Sequence, residues 1–341
     1  MLDFSKPHRR RNPLTGEWIL VSPQRTLRPW QGKVEDEVKV KPPDFDPNCY
    51  LCPGNKRDNG EVNPKYEKTF AFTNDHPAIL PSTGLEEYTP NDIIESVQEP
   101  GTCRVICYSP HHNRTMADMN TSEIAEIIKT WAAEYESIGE DPDISYLQIF
   151  ENKGPLMGAS SQHPHCQIWA THHLPTIVEL EQTHQKEYLV HHHAPLLLDY
   201  LRFEHDEKKR IIGETDAFTL LVPFWATWPY ETMILPRNHK QSLTSLDSGE
   251  IQELAEILSG LTKMYDKVFN TPFPYSMGIH QAPTDDKEHD EWQMHFHFYP
   301  PLLRSSTVKK YLVGYEMLAE PQRDITPEAA AQTLQNLYGK I

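Results

Sequence analysis

Two His-x-His steps constrain this chain more than anything else in it. His163-Pro164-His165 and His295-Phe296-His297 each follow the same succession of patterns: a helical periodicity, a short strand, then a loop. Before the first step, Ile124, Ile127, Ile128, Trp131 and Tyr135 recur at spacings of three and four, which predicts a helix over about 122–138 and a strand over 145–150. Before the second, Ile251, Leu254, Ile257, Leu258 and Leu261 predict a helix over about 247–268, with a strand at 275–280. Successive side chains of a strand point to opposite faces. His163, His165 and Gln167 are therefore expected on one side of one strand, with His295, His297 and Tyr299 in the matching places of another. The shared order points to an internal duplication at the level of supersecondary structure. Pro164 is unusual inside a strand and suggests an edge or irregular position.

The residues around these steps suggest metal chemistry and phosphate chemistry. Cys49-x-x-Cys52 places two thiolates on one knuckle, half of a tetrahedral site. No second Cys-x-x-Cys exists, so histidines must complete it; His163 and either His111 or His112 are the candidates. A Cys/Cys/His/His shell leaves no open position, which makes such a site structural. Two buried, unliganded cysteines are the plainer alternative. His295 and His297, with His280 upstream and Glu181 as a hard oxygen ligand, form a second candidate set, and an all-N/O set favours iron or zinc over copper(I). Satisfied core histidines would account for it equally well.

If His163 is a ligand, His165 is free, and a neutral imidazole can attack phosphorus to give a covalent intermediate. Gln167 can donate a hydrogen bond to a phosphoryl oxygen but cannot deliver a proton. That suits a leaving group needing no proton, such as a phosphate, and points to transfer between phosphates rather than hydrolysis. Gly158, Ala159, Ser160 and Ser161 precede the step, where a backbone can approach phosphate closely. In the tail, Lys310 beside Tyr311, Tyr315 and Glu316 suits a sugar phosphate, although a solvated strand and turn explains that segment alone.

Charge bears on the partners. A net charge of −17 over 341 residues argues against a nucleic-acid surface, since that binding rests on clustered Lys and Arg. No apolar run approaches a membrane span, and the polar, basic start of the chain lacks a signal-peptide core. A cytoplasmic protein is expected, whose five cysteines stay reduced. His191-His192-His193 reads as surface.

Longer segments carry a resemblance. Asn12-Pro-Leu-Thr-Gly16 with Trp18-Ile-Leu-Val-Ser-Pro23, Arg28-Pro-Trp-Gln-Gly32, Cys49-x-x-Cys52, Phe72-Thr-Asn-Asp75, Asn152-Lys-Gly154, His163-Pro-His-Cys-Gln-Ile-Trp169, His295-Phe-His-Phe-Tyr-Pro-Pro301 and Val313-Gly-Tyr-Glu-Met-Leu318 together resemble the galactose-1-phosphate uridylyltransferases of the histidine-triad superfamily. The resemblance implies an α/β fold of the α+β type: two fused histidine-triad-like units, 1–175 and 176–341, forming a largely antiparallel sheet with helices packed on it. It implies ping-pong transfer of UMP from UDP-glucose to galactose 1-phosphate through a uridylyl-His165. Gln167 would hold the transferred group and Ser160 would contact phosphate, with Gly158 and Ala159 beside it.

The same resemblance implies zinc on Cys49, Cys52, His112 and His163. His112 is preferred to His111 because it precedes Asn113-Arg114-Thr115. A second metal, iron or zinc, falls on Glu181, His280, His295 and His297, and both metals are structural. Arg25, Arg28, Asp58, Asn74, Asp75 and Asn152 match positions around the UDP-hexose. Lys310, Tyr311, Tyr315, Glu316 and Gln322 match hexose-phosphate contacts that come from the partner of a homodimer. Cys166 should point away from the His165 face. The nearest rival is a related nucleotidyltransferase, such as an ADP-sugar or dinucleoside-polyphosphate phosphorylase. A non-catalytic, metal-stabilised binding module is a rival of another kind.

Overall fold

The computed structural model describes residues 2–27, 42–81 and 84–341. Its strands are β1 (His8–Arg11), β2 (Trp18–Val21), β3 (Phe70–Thr73), β4 (Glu87–Tyr88), β5 (Ser96–Val97), β6 (Gly101–Cys107), β7 (Tyr146–Lys153), β8 (His165–Thr171), β9 (Ile211–Glu214), β10 (Phe218–Leu221), β11 (Thr232–Pro236), β12 (Tyr275–His280), β13 (His295–Tyr299) and β14 (Gln322–Arg323). Its helices are α1 (Thr121–Gly139), α2 (Thr176–His192), α3 (Leu196–Glu207), α4 (Ser248–Val268), α5 (Tyr315–Leu318) and α6 (Pro327–Tyr338).

The two long helices start where capping chemistry tells them to. Asn120 Oδ1 accepts from the Glu123 N–H, and Glu123 reaches back to the Asn120 N–H. Asp247 and Glu250 repeat the arrangement for α4. Each box satisfies amides that the first turn leaves without intrahelical partners. Leu254, Ile257, Leu258 and Leu261 of α4 bury fully, as do Ile127, Ile128 and Trp131 of α1. Each large apolar side chain so buried stabilises the fold by about 1.5–3 kcal/mol.

The main sheet has nine strands among the described residues, in the order β3-β6-β8-β7-β12-β13-β11-β10-β9, and every pairing in it is antiparallel. The order mirrors itself about a central seam. β7 lies beside β12, β8 and β13 flank them, and β6 and β11 come next. Helices α1 and α4, which precede β7 and β12 in sequence, pack against each other over one face.

Strand alternation then sorts the side chains. Cys166, Ile168 and Ala170 of β8 and Phe296 and Phe298 of β13 enter the helix-covered core. His165, Gln167 and Trp169, like His295, His297 and Tyr299, take the opposite face. On that face Leu197 and Leu201 of α3 pack with Leu221, Met233 and Leu235 and with Leu14, Ile19 and Val21 near the N-terminus.

Two details depart from the sequence reading. Strand β8 is interior, held by β6 and β7, so it is not an edge. Pro164 sits immediately before it, where the missing N–H costs the ladder nothing and its carbonyl accepts from the Tyr108 N–H. His163 therefore precedes the regular strand, and its ring meets Cys52, which packs with Val105 and Cys107, the β6 residues opposite Gln167 and His165. Its ring turns into a buried cluster of its own.

Candidate active site

That cluster begins at the knuckle 49–52. The Cys52 N–H donates to the Cys49 carbonyl at 3.1 Å, and the Asn55 and Asn63 side-chain amides donate to the Cys49 and Cys52 carbonyls. This turn points both thiols inward. Cys52 Sγ lies 3.6 Å from His112 Nδ1 and 3.6 Å from His163 Nδ1. The ligand atoms of Cys49, Cys52, His112 and His163 all lie within 4.8 Å of one another, and all four residues are buried. His111 is turned away and its Nδ1 contacts the Asp44 carboxylate at 2.9 Å.

The proton of His163 is placed by its neighbours. Nε2 lies 2.8 Å from the Ser109 carbonyl, which can only accept. Nε2 therefore carries the hydrogen and Nδ1 presents its lone pair to the thiols. Tyr66, whose hydroxyl donates to the Leu51 carbonyl, also stands 2.9 Å from that Nε2. Burial is the main reason the His163 ring stays neutral, with its pKa lowered to about 4.

The second group sits on β12 and β13, faced by α2. Glu181, His280, His295 and His297 bring one ligand atom each within 4.8 Å of one another. His295 Nδ1 donates to the Gln293 carbonyl, which leaves Nε2 for the group. His295 Nε2 and both ring nitrogens of His297 are buried without a hydrogen-bond partner. Burial alone would raise the Glu181 pKa, but the imidazoles of His280 and His295 hold it well below the carboxylate range. Two buried imidazoles and the half-buried His280 facing one carboxylate, with orphaned nitrogens on His295 and His297, fit a divalent cation and fit an apolar core poorly.

His165 heads β8 and is half-buried. Its Nδ1 lies 2.7 Å from the His163 carbonyl. The carbonyl fixes the hydrogen on Nδ1 and leaves Nε2 with a free lone pair. Burial lowers the His165 pKa, so the ring is neutral at pH 7. The neighbouring Cys166 faces the other way. Its Sγ accepts from Trp131 Nε1 at 3.2 Å, and burial pushes its thiol up to about 12.

Two connected hollows meet at His165. The larger, about 250 Å³, is lined by Tyr50, Asp58, Phe72, Asn74, Asp75, His76, Val105, Ser160, His165 and Gln167. The smaller is bounded by Phe150, Asn152, Gly158, Ala159, Ser160, His165, Cys166 and Gln167. Gly158 closes the turn Pro155–Met157 at φ 78°, a conformation that favours glycine and brings the 158–160 backbone alongside the strand. Ser276 Oγ donates to Asn152 Oδ1 at 2.6 Å, which leaves the Asn152 amide hydrogens for the hollow. An apolar wall of Phe72 and Val105 facing Asn74 and Asp75 suits a flat, polar-edged base.

The structure thus gathers Asp58, Asn74, Asp75, Asn152, Gly158, Ala159, Ser160, His165 and Gln167 into one site. It does not bring Arg25, Lys310, Tyr311, Tyr315, Glu316 or Gln322 to either hollow. Those residues meet elsewhere. Arg25 Nε and Gln322 Nε2 both donate to Asp324 Oδ1, at 3.1 and 2.8 Å. Lys310 pairs with Glu316. Tyr311, Val313, Met317 and Leu318 stay exposed. Arg28 lies outside the described residues.

Some participants carry no sequence signal. Arg57 stands inside a polar loop, and only the fold shows its guanidinium 4.4 Å above the Phe72 ring and 3.3 Å from Asp75 Oδ1. Arg57→Ala is expected to leave the Asp75 carboxylate buried without its cation, lowering stability by about 3 kcal/mol and raising the KM for a nucleotide substrate. Denaturant titration checks the first and steady-state kinetics the second. An unchanged midpoint would show that Asp75 does not depend on this pair. Tyr66 and Asp324 escape a reading of spacing for the same reason.

Comparison with known proteins bears on what this geometry serves. The family model described as galactose-1-phosphate uridyl transferase, N-terminal domain, matches residues 2–175, and the corresponding C-terminal domain matches residues 181–340. The chain belongs to the galactose-1-phosphate uridylyltransferase family. A relative named galactose-1-phosphate uridylyltransferase from Haemophilus influenzae is 48% identical, over 97% of this chain and 94% of its own. One from Rattus norvegicus is 46% identical, over 97% and 87%. Among solved structures, a uridylyltransferase superposes with a TM-score of 0.77 at 28% identity, covering 97% of this chain and 98% of that one. An ADP-glucose phosphorylase from Arabidopsis thaliana shares the fold, with a TM-score of 0.74 at 22% identity, over 97% and 99%.

Proposed function

We propose that this member of the family transfers UMP from UDP-glucose to galactose 1-phosphate by a ping-pong route through His165. The observation that carries the reading is the His165–His163 hydrogen bond, which points a neutral Nε2 lone pair at a hollow sized and lined for a nucleotide. In the first half-reaction Nε2 attacks the α-phosphorus of UDP-glucose. A P–N bond forms, the P–O bond to the β-phosphate breaks, and glucose 1-phosphate departs as an anion that needs no proton. In the second, a phosphate oxygen of galactose 1-phosphate attacks the same phosphorus, the P–N bond breaks, and the neutral imidazole returns. Gln167, Ser160 and the 158–160 backbone donate to the charge that develops on the phosphoryl oxygens. Asn74 and Asp75 serve the base and Asn152 the phosphate. Asp58 lies at the rim of the larger hollow.

The Cys49, Cys52, His112 and His163 set suits zinc. Bond lengths of about 2.3 Å to sulfur and 2.0–2.1 Å to nitrogen give a tetrahedral S···N edge of roughly 3.6 Å, the separation seen at Cys52. The N3O set at Glu181, His280, His295 and His297 suits iron or zinc. Bound there, the cations brace strands and leave the reacting phosphate to the protein's own donors.

The tail, with Tyr311 and Tyr315 exposed, Lys310 and Glu316 half-buried and Gln322 buried at its base, is suited to completing the hollow of a second copy. Arg25, and Arg28 beside it in sequence, go with that tail, since Arg25 shares Asp324 with Gln322. This reading makes the protein a homodimer of chains built from two histidine-triad-like units, 1–175 and 176–341. No helix among the described residues is long and apolar enough to cross a membrane. A thiolate-ligated site and free buried cysteines favour the cytoplasm.

Intact-mass analysis after mixing with UDP-glucose alone tests the route. A UMP-sized gain that is lost in acid is expected. No gain while exchange with galactose 1-phosphate runs fast would refute the covalent step. The same experiment with ADP-glucose separates this reading from the phosphorylase that shares the fold: an AMP adduct formed in preference to UMP would reverse the nucleotide assignment.

A further inference from the structure

We propose that Trp169 is a positioning residue, which fixes the end of the Gln167 amide that faces the reacting phosphorus. The inference rests on the uridylyl-transfer reading and extends it to a side chain that lines neither hollow. His165, Gln167 and Trp169 follow one another along the open face of β8. The Trp169 indole Nε1 lies 3.2 Å from Gln167 Oε1. An indole N–H can only donate, whereas the amide has an accepting oxygen at one end and a donating NH2 at the other. The contact therefore works in one amide orientation. Turning the amide by half a turn would set N–H against N–H.

With its oxygen held by the indole, the amide leaves its NH2 group for the hollow. That is the end a phosphoryl group requires, because its oxygens are anionic and accept only. The reverse orientation would set the amide oxygen's lone pairs against them. The indole is itself held. Its ring meets Phe150 edge to face, with centroids 5.5 Å apart and planes at 83°, and Phe150 on β7 lies opposite Gln167 in the sheet register. Trp169 is also 37% exposed, unusually open for a tryptophan in an interior strand of the sheet. Packing alone does not call for an indole there, but orientation of the glutamine does.

Trp169→Phe keeps a ring against Phe150 and removes the N–H. The rate of UMP adduct formation from UDP-glucose, followed in a single turnover by mass, is expected to fall about 3- to 10-fold, as loss of one hydrogen bond would give. The UDP-glucose concentration at half-maximal rate should move by less than about twofold. In a Gln167→Ala background, the same substitution should change nothing further, because the group being oriented is gone. If Trp169→Phe does not fold, 3-benzothienylalanine at position 169 keeps the indole's shape without its N–H and carries the same expectation. A wild-type rate in the single variant, or an equal loss in both backgrounds, overturns the inference while leaving the transfer mechanism standing. A wild-type enzyme that forms no adduct removes both.

Discussion

His165→Ala is expected to abolish uridylyl transfer while leaving the protein folded and both cation sites intact. The adduct should be absent, and exchange between UDP-glucose and galactose 1-phosphate should fall by about 10⁴-fold or more, the scale at which covalent nucleophiles contribute. The reason is positional. Cys166 is turned into the core with a suppressed thiol, and His163 is turned into the Cys49–Cys52 cluster, so neither neighbour can stand in. The folding cost should be small. His165 is half-buried, and its one fixed hydrogen bond, to the His163 carbonyl, is worth about 1 kcal/mol. Metal analysis and thermal melting are therefore expected to match the wild type. Exchange at the wild-type rate in this variant would sink the mechanism.

The second large effect is expected at Cys52. This residue is fully buried, and its sulfur is within 3.6 Å of two imidazoles at once. Cys52→Ser should lose one cation per chain by elemental analysis, with the Glu181, His280, His295 and His297 set unaffected. Stability should drop by about 3 kcal/mol or more, because binding to a structural site is folding energy. Activity should drop as well, through a single connection. The carbonyl that orients His165 belongs to His163, and His163 is the proposed ligand that ties this segment to the knuckle. Freed of it, the carbonyl wanders and Nε2 loses its aim. Full stoichiometry and full activity in Cys52→Ser would show that the four residues are merely a buried cluster. Unchanged activity after metal loss would break the proposed link from the knuckle to the nucleophile.

Much of this was legible in the chain before any coordinates, for local reasons. Periodicity at three and four residues marked α1 and α4 because each buries one stripe, and strand β12 falls on 275–280 as expected. The clustered histidines were legible because ligands recur at short spacing. Other features depend on contacts far apart in sequence. Nothing local in 146–153 says that it will pair with 275–280 and form the seam of the sheet. The regular strand starts at His165, two residues later than a strand running from His163, with Pro164 immediately before it. Arg57 and Asp324 are single charged residues in polar segments, indistinguishable from solvated ones until Asp75, or Arg25 and Gln322, arrive beside them. The tail residues carry their motif, yet within one chain Lys310 pairs with Glu316 and Gln322 with Asp324.

The mirrored sheet has a consequence for anyone who would redesign the molecule. The two His-x-His strands occupy equivalent places on the same face, but His295 and His297 are sealed, at 0% and 4% exposure, while His165 borders open space. The halves differ in access more than in inventory. A second reactive centre would not be obtained by installing another nucleophile, since the imidazoles already stand there. It would require excavation: trimming Glu181 and its helix away from β13 until solvent and a nucleotide could reach the rings. That would also remove the carboxylate, and with it the proposed cation site on β12 and β13. Doubling the chemistry would then come at the expense of the contacts that Glu181 makes with His280 and His295.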